Sequence, residues 1–287
     1  MSVTNTPIVK ACVAEVVGTF LLVLFGTGSV AAAVYTDAQV GLWQVAAVWG
    51  FGVAIAIYVT ASVSGAHLNP AVSFAFAIHR SSEFGPQRMF AYWAAQLIGG
   101  VLAGVAVLLI FNPFISEFEE INGIERGEPG SQESAMAFGE YFPNPAMFGT
   151  EDSASELVSA WHAFGVEAFG TAILALVIFA VIDRKNVALP SKGMAPFFIG
   201  FTVAILISLF APVTQAGWNP ARDFGPRLVS LMAGWEDIAI PGPRSGFWVY
   251  ILGPLVGAPI GAAIWEYVLR PALGSPEAEV VSDDEPA

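Results

Sequence analysis

Six long apolar stretches run through this chain, and each is close to the length of a membrane span. They lie at about Ile8–Val34, Gly41–Ser62, Met89–Phe111, Trp161–Ile182, Met194–Pro212 and Gly246–Leu269. A helix needs ~20 mostly apolar residues to cross the hydrocarbon core of a bilayer. Charged residues make up only 12% of the sequence, which is about half the share usual in soluble domains. The stretches therefore predict an all-α membrane protein with six transmembrane helices.

One tripeptide occurs twice directly after an apolar stretch, as Asn69-Pro70-Ala71 and as Asn219-Pro220-Ala221. Asn is a favourable N-cap and Pro is favoured at the first helical position, so each copy predicts the start of a helix. Each apolar segment that follows is only ~10 residues long, half of what a span requires, which predicts two re-entrant half-helices. A third copy, Asn144-Pro145-Ala146, has no apolar flank and predicts an ordinary turn.

The two halves of the chain, residues 1–111 and residues 161–270, repeat one another. The matching motifs are EVVGT from Glu15 and EAFGT from Glu167, GFGVAI from Gly50 and GFTVAI from Gly200, and QLIGG from Gln96 and PLVGA from Pro254. Each half holds three spans, so the second half must enter the bilayer from the opposite side, which predicts an inverted repeat. The half-helices then enter from opposite faces, and their N-termini meet near the bilayer midplane.

The charged residues predict the orientation of the chain and the nature of its connections. Most of the 11 basic residues fall on the side that carries both termini, and the positive-inside rule then makes that side cytoplasmic in a plasma or inner membrane. These residues are Lys10, Arg80, Arg88, Arg184, Lys185, Lys192 and Arg270. The net charge of −13 comes largely from residues 112–160 and 271–287, which predict an acidic extracellular loop and a disordered acidic tail. Such acidity excludes nucleic acid as a partner, because that partner requires clustered Lys and Arg.

The segments just before the two half-helices predict a pore. Non-helical backbone at this depth is tolerated only inside protein or along a wet cavity, so we expect its carbonyl groups to line one. The lining residues predicted in this way are Gly65, Ala66, His67, Leu68, Gln215, Ala216 and Gly217. Two facing helix N-termini place positive partial charge at the centre, where the amides of Asn69 and Asn219 add hydrogen-bond donors. This centre is expected to bind a water or alcohol oxygen and to repel cations.

Glu15 and Glu167 are carboxylates within predicted spans. They can act as proton-coupling groups of an active transporter or as acceptors for the backbone N–H groups of the loops, and their symmetric placement favours the second role. We expect Asp223 to support its loop in the same way. His67 has no second His or Cys at ligand spacing, so neither a metal site nor a cofactor is predicted.

The duplicated Asn-Pro-Ala, the repeated Glu-x-x-Gly-Thr and the run GAHL from Gly65 together resemble the aquaporin, or major intrinsic protein, family. The run NPARDFGPR from Asn219 resembles the glycerol-facilitator branch, as do WG at Trp49 and FPNP at Phe142. The resemblance covers nearly the whole chain except the acidic tail. It implies an aquaporin-like fold and a homotetramer with one pore in each subunit, embedded in the lipid bilayer.

The same resemblance implies a selectivity filter. An arginine inside a membrane protein is a functional candidate by default, and Arg222 occupies the position at which the family's guanidinium donates to solute hydroxyls and repels cations. Trp49, Ile207 and Ala216 complete the filter by resemblance. Trp49 matches the glycerol branch, which usually has Gly in place of Ile207 and an aromatic residue in place of Ala216. The set of four is closer to the nodulin-26-like branch of plants, yet it should pass a three-carbon polyol.

We therefore predict a passive channel that conducts glycerol and water and excludes protons and ions. One alternative keeps the fold but changes the solute, to water alone or to a broader set that includes urea, ammonia and metalloid hydroxides. Another is an ion-coupled secondary transporter, which requires ligands for its ion near the broken helices. The neutral Asn donors and Arg222 favour an uncharged solute instead. No nucleophile lies beside His67, so the chain is not predicted to be an enzyme.

Overall fold

The computed structural model describes residues 6–273, and within that range six helices are long and apolar enough to cross a membrane. The helices are α1 (Ile8–Thr36), α2 (Leu42–Ser64), α3 (Pro70–His79), α4 (Pro86–Asn122), α5 (Gln132–Ala135), α6 (Pro145–Phe148), α7 (Asp152–Leu157), α8 (Ala160–Ile182), α9 (Ala195–Thr214), α10 (Pro220–Ser230), α11 (Glu236–Ala239) and α12 (Val249–Ala263). The long apolar helices are α1, α2, α4, α8, α9 and α12, of which α9 and α12 are lengthened by shorter helical turns. This confirms the predicted fold class.

The two half-helices begin at the duplicated tripeptides. Helix α3 has 10 residues and α10 has 11, each with Pro at its first position. Asn69 and Asn219 precede them in extended conformations, and their side-chain oxygens accept hydrogen bonds from the first free N–H groups of the helices. Because an N-cap satisfies donors that the helix itself leaves unpaired, the sequence fixes both starting points locally.

The long helices pack in pairs that the repeat relates. Helix α1 packs along α4, α8 packs along α12, and α2 crosses α9 between them. At this crossing a Cβ atom built on Gly200 would lie 2.1 Å from the carbonyl oxygen of Gly50, and one built on Gly50 would lie 2.7 Å from that of Gly200. The two glycines occupy equivalent positions in the two halves. Helices α2 and α9 therefore approach each other most closely at the same position of the repeat in each half.

Each half-helix packs against a long helix of the opposite half. Helix α3 lies against α12, and α10 lies against α4. Small residues allow the second contact, since a Cβ atom on Gly100 of α4 would lie 2.4 Å from the carbonyl oxygen of Ala221 in α10. These two contacts between opposite halves interlock the halves and hold the N-termini of both half-helices inside the protein.

The third span extends beyond its predicted end. The apolar stretch ends at Phe111, whereas α4 continues through Pro113 to Asn122. Buried contacts hold the extension: Ile115 is fully buried, and Glu119 forms an ion pair with Arg126 at 2.6 Å. The polar end of this helix therefore takes its stability from tertiary contacts that its composition does not reveal.

The acidic connection is only partly the predicted solvated loop. Residues 134–145 are buried throughout and fold against α9, α10 and α11. Within this segment Asn144 caps the one-turn helix α6 by accepting from the N–H of Ala146 at 3.0 Å, and its amide donates to the carbonyl of Ala211 at 3.1 Å. The third tripeptide is therefore a helix start and not an ordinary turn. Capping is local, so the missing apolar flank did not prevent it.

The face of the protein where the described residues begin and end is named the terminal face. A cluster of charged side chains joins three helices there. Asp183 at the end of α8 contacts Arg80 at 3.5 Å and Arg270 at 2.7 Å, and Glu266 contacts the same two arginines. The opposite side, with the connection between α4 and α8, is the loop face. The predicted disordered tail, residues 271–287, falls largely outside the described residues, which end at 273.

Candidate functional site

The two loops before the half-helices share an unusual backbone. The loops comprise residues 65–68 and 215–218. The first, second and fourth residues of each have positive φ angles, a conformation that residues other than Gly rarely adopt. These residues are Gly65, Ala66 and Leu68 in the first loop and Gln215, Ala216 and Trp218 in the second. A strained backbone of this kind persists only where the surroundings fix it, and it is typical of functional sites.

The two capping asparagines bind each other's loops. Nδ2 of Asn69 donates to the carbonyl oxygen of Trp218 at 2.9 Å, and Nδ2 of Asn219 donates to the carbonyl oxygen of Leu68 at 2.8 Å. Each amide nitrogen has a second N–H that this exchange does not use. The N-termini of α3 and α10 therefore meet inside the protein, with one spare donor on each side.

A buried carboxylate accepts hydrogen bonds from the backbone of each loop. Glu15 accepts the N–H groups of His67 at 2.9 Å and Leu68 at 2.7 Å, and Gln96 donates to the same carboxylate at 2.8 Å. Residue Glu15 is fully buried. Because buried backbone donors need partners, this carboxylate compensates for hydrogen bonds that the strained loop cannot make to itself.

The second half repeats this arrangement. Glu167 accepts the N–H of Gly217 at 3.0 Å and that of Trp218 at 2.7 Å, and it too is fully buried. The structure thus places both carboxylates in contact with loop backbone, which is the geometry of the structural role that the sequence favoured over proton coupling.

A cavity of about 300 Å³ runs along the two loops. Arg222 lines it towards the loop face, Asn69 and Asn219 line it between the halves, and Lys192 lines it at the terminal face. The opposite wall is apolar and contains Leu22, Val53, Ile57, Leu174, Ile178, Ile199 and Val203. A narrow passage with polar groups on one side and an apolar wall on the other suits a small solute that has both kinds of surface.

The four predicted filter residues all line this cavity and are all buried. The guanidinium carbon of Arg222 lies 4.4 Å from the centre of the Trp49 ring, so the two side chains stack. Ile207 of α9 and Ala216 of the second loop complete the set. Nη1 of Arg222 has no hydrogen-bond partner among residues 6–273. The structure therefore brings the predicted filter together around an unused donor.

Most of the predicted lining residues are in place. Gly65, Ala66, His67, Leu68, Ala216 and Gly217 line the cavity. The His67 ring stacks on Phe76 at 4.5 Å, and its Nδ1 lies 3.1 Å from the Ser73 hydroxyl. Gln215, whose carbonyl was also predicted to line the cavity, is not among its lining residues. Its side chain accepts from the N–H of Tyr141 at 2.8 Å.

Glu140 is the site residue that sequence reasoning missed. It lies in the buried segment of the connection, and its carboxylate forms an ion pair with Arg222. The backbone of Glu140 is also fixed, since its N–H donates to Asp223 at 2.7 Å and its carbonyl accepts from Arg227. One signal was available: residues 135–138 form a short apolar run, AMAF, within an otherwise acidic connection.

Asp223 supports the loop face of the site through Arg227. The two side chains form an ion pair at 2.8 Å, four residues apart on α10, and both are buried. Arg227 also donates to the carbonyl of Ala239 at 2.9 Å. Asp223 thus fixes the connection and the end of the half-helix together, rather than contacting the loop before α10.

Comparison with known sequences gives one family over nearly the whole chain. The family described as "Major intrinsic protein" matches residues 2–265. A glycerol uptake facilitator protein of Pseudomonas aeruginosa is 42% identical over 253 residues, which cover 88% of this chain and 85% of that protein. The glycerol uptake facilitator protein of Escherichia coli strain K12 is 38% identical over 264 residues, covering 91% and 88% of the two chains.

A propanediol uptake facilitator of Citrobacter freundii is 36% identical over 262 residues, covering 91% of this chain and 92% of that protein. Among solved structures, the aquaglyceroporin from Plasmodium falciparum superposes with a TM-score of 0.77 at 27% identity, covering 93% of this chain and 99% of that one. Sequence and fold agree, and the chain belongs to the major intrinsic protein family.

Proposed function

We propose that this protein is a passive channel for glycerol and related small uncharged solutes, and that it also conducts water. The observation that carries the proposal is one cavity that is lined by Arg222, by the paired Asn69 and Asn219, and by an apolar wall opposite them. Relatives that cover most of the chain are glycerol and propanediol uptake facilitators, which supports the same class of solute.

A linear polyol fits both surfaces of this passage. Its hydroxyl groups accept from Arg222 at the filter and from the spare amide N–H groups of Asn69 and Asn219 further in. Its carbon chain contacts the ring of Trp49 and the apolar wall. Since each hydrogen bond lost to water is replaced by one to the protein, the barrier to an uncharged polyol stays low.

Charged solutes do not receive the same compensation. The N-termini of α3 and α10 carry positive partial charge, and they meet at the centre of the passage. A cation there meets repulsion from both, together with the desolvation penalty of a narrow apolar cavity. The amides orient a passing water by donating to its oxygen, which supports exclusion of protons as well as of metal ions.

The ion-coupled transporter remains the alternative of a different class. It requires anionic or carbonyl ligands for a coupling ion beside the broken helices. Three carboxylates lie near those breaks. Glu15 and Glu167 each already accept two backbone N–H groups, and Glu140 is paired with Arg222. This prior engagement supports the channel over the transporter.

We further propose the orientation and assembly of the protein. The terminal face carries Arg80, Arg184, Lys185, Lys192 and Arg270, and the positive-inside rule supports a cytoplasmic location for that face. Family membership supports a homotetramer with a pore in each subunit. Multi-angle light scattering of the detergent-solubilised protein tests the assembly, and protease access to the two ends of the chain in inverted vesicles tests the orientation.

Glycerol flux in proteoliposomes tests the function. Vesicles that contain the purified protein are mixed with hyperosmotic glycerol in a stopped-flow instrument, with no ion or proton gradient. We expect fast water efflux followed by rapid re-swelling as glycerol enters, and slow re-swelling in protein-free vesicles. Re-swelling that requires a proton or sodium gradient would establish the transporter instead. Water flux without glycerol flux would restrict the channel to water.

A further inference from the structure

Glu140 is a carboxylate from the connection that reaches the channel filter. Its side chain is fully buried, and that of Arg222, with which it forms an ion pair, is 4% exposed. The pair therefore lies away from bulk water, where a charge interaction is strong and an unpaired charge is costly. No position in the inverted repeat supplies this residue, since it lies between the two halves.

The backbone around Glu140 is anchored on α10, the helix that carries Arg222. The N–H of Glu140 donates to Asp223 at 2.7 Å, and its carbonyl oxygen accepts from Arg227. Arg227 is held in turn by its ion pair with Asp223. The backbone from which the Glu140 side chain extends is therefore fixed relative to the helix that carries Arg222.

The guanidinium of Arg222 is held on two sides. Nη2 pairs with Glu140, the flat face stacks on Trp49 at 4.4 Å, and Nη1 has no hydrogen-bond partner within residues 6–273. A free arginine side chain has many rotamers, and holding it in one costs conformational entropy. With both contacts in place, the guanidinium of Arg222 is held in one position beside the cavity.

We propose that Glu140 is a positioning residue of the selectivity filter, which holds Arg222 against Trp49 and thereby sets the ratio of glycerol to water permeability. The proposal rests on the proposed function. The permeability to glycerol should depend on the position of Arg222 more than the permeability to water does. A polyol must fit its hydroxyl groups and its carbon chain to the filter at the same time, whereas a water molecule can rotate to accept from a displaced donor.

Titration of Glu140 gives a readout that a purely structural role would not move. Burial raises the pKa of Glu140 to about 8, and the charge of Arg222 opposes this shift. The other titratable or charged groups near it are Asp223 and Arg227 of α10, Glu167 of α8, Tyr250 of α12 and the adjacent Tyr141. As the pH falls through this value the carboxylate gains a proton and the ion pair is lost, so the glycerol-to-water ratio should fall.

The test measures both permeabilities in the same proteoliposomes, so that their ratio is independent of the amount of protein inserted. At about pH 9.5, where Glu140 is ionised, Glu140→Ala should lower the ratio roughly tenfold, the effect of losing one well-placed hydrogen bond of about 1.4 kcal/mol. Glu140→Gln keeps an acceptor of the same shape and should stay within roughly threefold of the wild type. The glutamine variant should also lose the dependence of the ratio on pH.

Glu125→Gln is the matched control, because it removes a carboxylate from the same connection at an exposed position. It should keep both the ratio and its pH dependence. Should Glu140→Ala fail to fold, as judged by size-exclusion chromatography, the wild type and Glu140→Gln still decide the matter through their pH profiles. A Glu140→Ala ratio equal to that of the wild type overturns the proposal. Where that variant does not fold, a wild-type pH profile identical to that of Glu140→Gln between about pH 5 and 10 overturns it instead. Wild-type vesicles that do not conduct glycerol would instead refute the proposed function.

Discussion

The side-chain amide of Asn69 donates to the backbone carbonyl of Trp218 at 2.9 Å, across the boundary between the two halves of the chain. Asn219 returns the same bond to Leu68. Each asparagine thus caps its own half-helix with its oxygen and ties down the opposite loop with its nitrogen. One residue type performs both tasks because an amide is acceptor and donor at once.

We expect Asn69→Ala and Asn219→Ala to impair both stability and flux. Each removes an N-cap, worth about 1 kcal/mol, and leaves a buried carbonyl of the opposite loop without its donor, worth about 1–3 kcal/mol more. The two loops are then no longer held at a fixed distance from each other. Glycerol permeability should therefore fall more than the decrease in the unfolding midpoint alone explains. Thermal unfolding in detergent and stopped-flow re-swelling measure the two effects.

Asn144→Ala is the matched control for both variants. Asn144 caps α6 and donates to the carbonyl of Ala211, so the same two types of bond are lost. It does not line the channel cavity. We expect a comparable loss of stability with glycerol permeability per folded protein retained. An equal loss of flux in all three variants would mean that the asparagines act through folding alone.

Gly26 provides a second test, because it determines where the Trp49 ring lies. A Cβ atom on Gly26 would lie 2.2 Å from this ring, so Gly26→Ala must displace the indole from α1 towards the channel, at about 1–3 kcal/mol of strain. We expect glycerol permeability to fall roughly tenfold, since about 1.4 kcal/mol in a barrier is a factor of ten.

Gly28→Ala serves as its control on the same helix. A Cβ atom there meets no atom of residues 6–273 within 4 Å, while both substitutions gain the same ~1 kcal/mol of helix propensity. Gly28→Ala should therefore conduct like the wild type. If Gly26→Ala does so too, the position of Trp49 does not limit glycerol flux.

Local chemistry explains what the sequence could predict. The half-helix starts follow from Asn and Pro at positions where only capping and a fixed φ angle matter. The six spans follow from length and apolarity. The contact of Glu15 and Glu167 with the loops could be anticipated because a carboxylate inside a span needs donors, and the loops are where donors are free.

Tertiary contacts explain what the sequence could not predict. The extension of α4 past Phe111 depends on Ile115 and Glu119, whose partners lie in the connection. Glu140 lies in a connection rich in acidic residues, where its composition predicts solvation. It is buried because its neighbours fold over α10, and no periodic pattern marks such a contact.

Glu167→Gln and Glu15→Gln test whether these carboxylates are structural. A glutamine offers one acceptor oxygen where two backbone N–H groups now bind, so each variant leaves a buried donor unpaired and should lose about 1–3 kcal/mol of stability. Glycerol flux per folded protein should persist without any proton gradient. Thermal unfolding and re-swelling at matched pH measure both, with the exposed Glu125→Gln as control. Loss of flux from a fully folded variant would favour proton coupling instead.

The last prediction concerns the charge balance at the filter. Arg222→Val removes the guanidinium whose charge opposes the raised pKa of Glu140, so Glu140 should be protonated at neutral pH and remain as a buried carboxyl group without its partner, at a cost of about 1–3 kcal/mol. The double variant Arg222→Val, Glu140→Gln removes both charges and should recover most of that stability.

The double variant therefore separates folding from selection. If Arg222 supplies the positive charge that repels cations at the filter, the recovered protein should admit small cations that the wild type excludes, as measured by conductance in planar bilayers. Glu140→Gln alone retains Arg222 and should remain impermeable to cations. A well-folded double variant that still excludes them would assign the exclusion to the facing N-termini of α3 and α10, where the helix dipoles alone would have to supply the barrier.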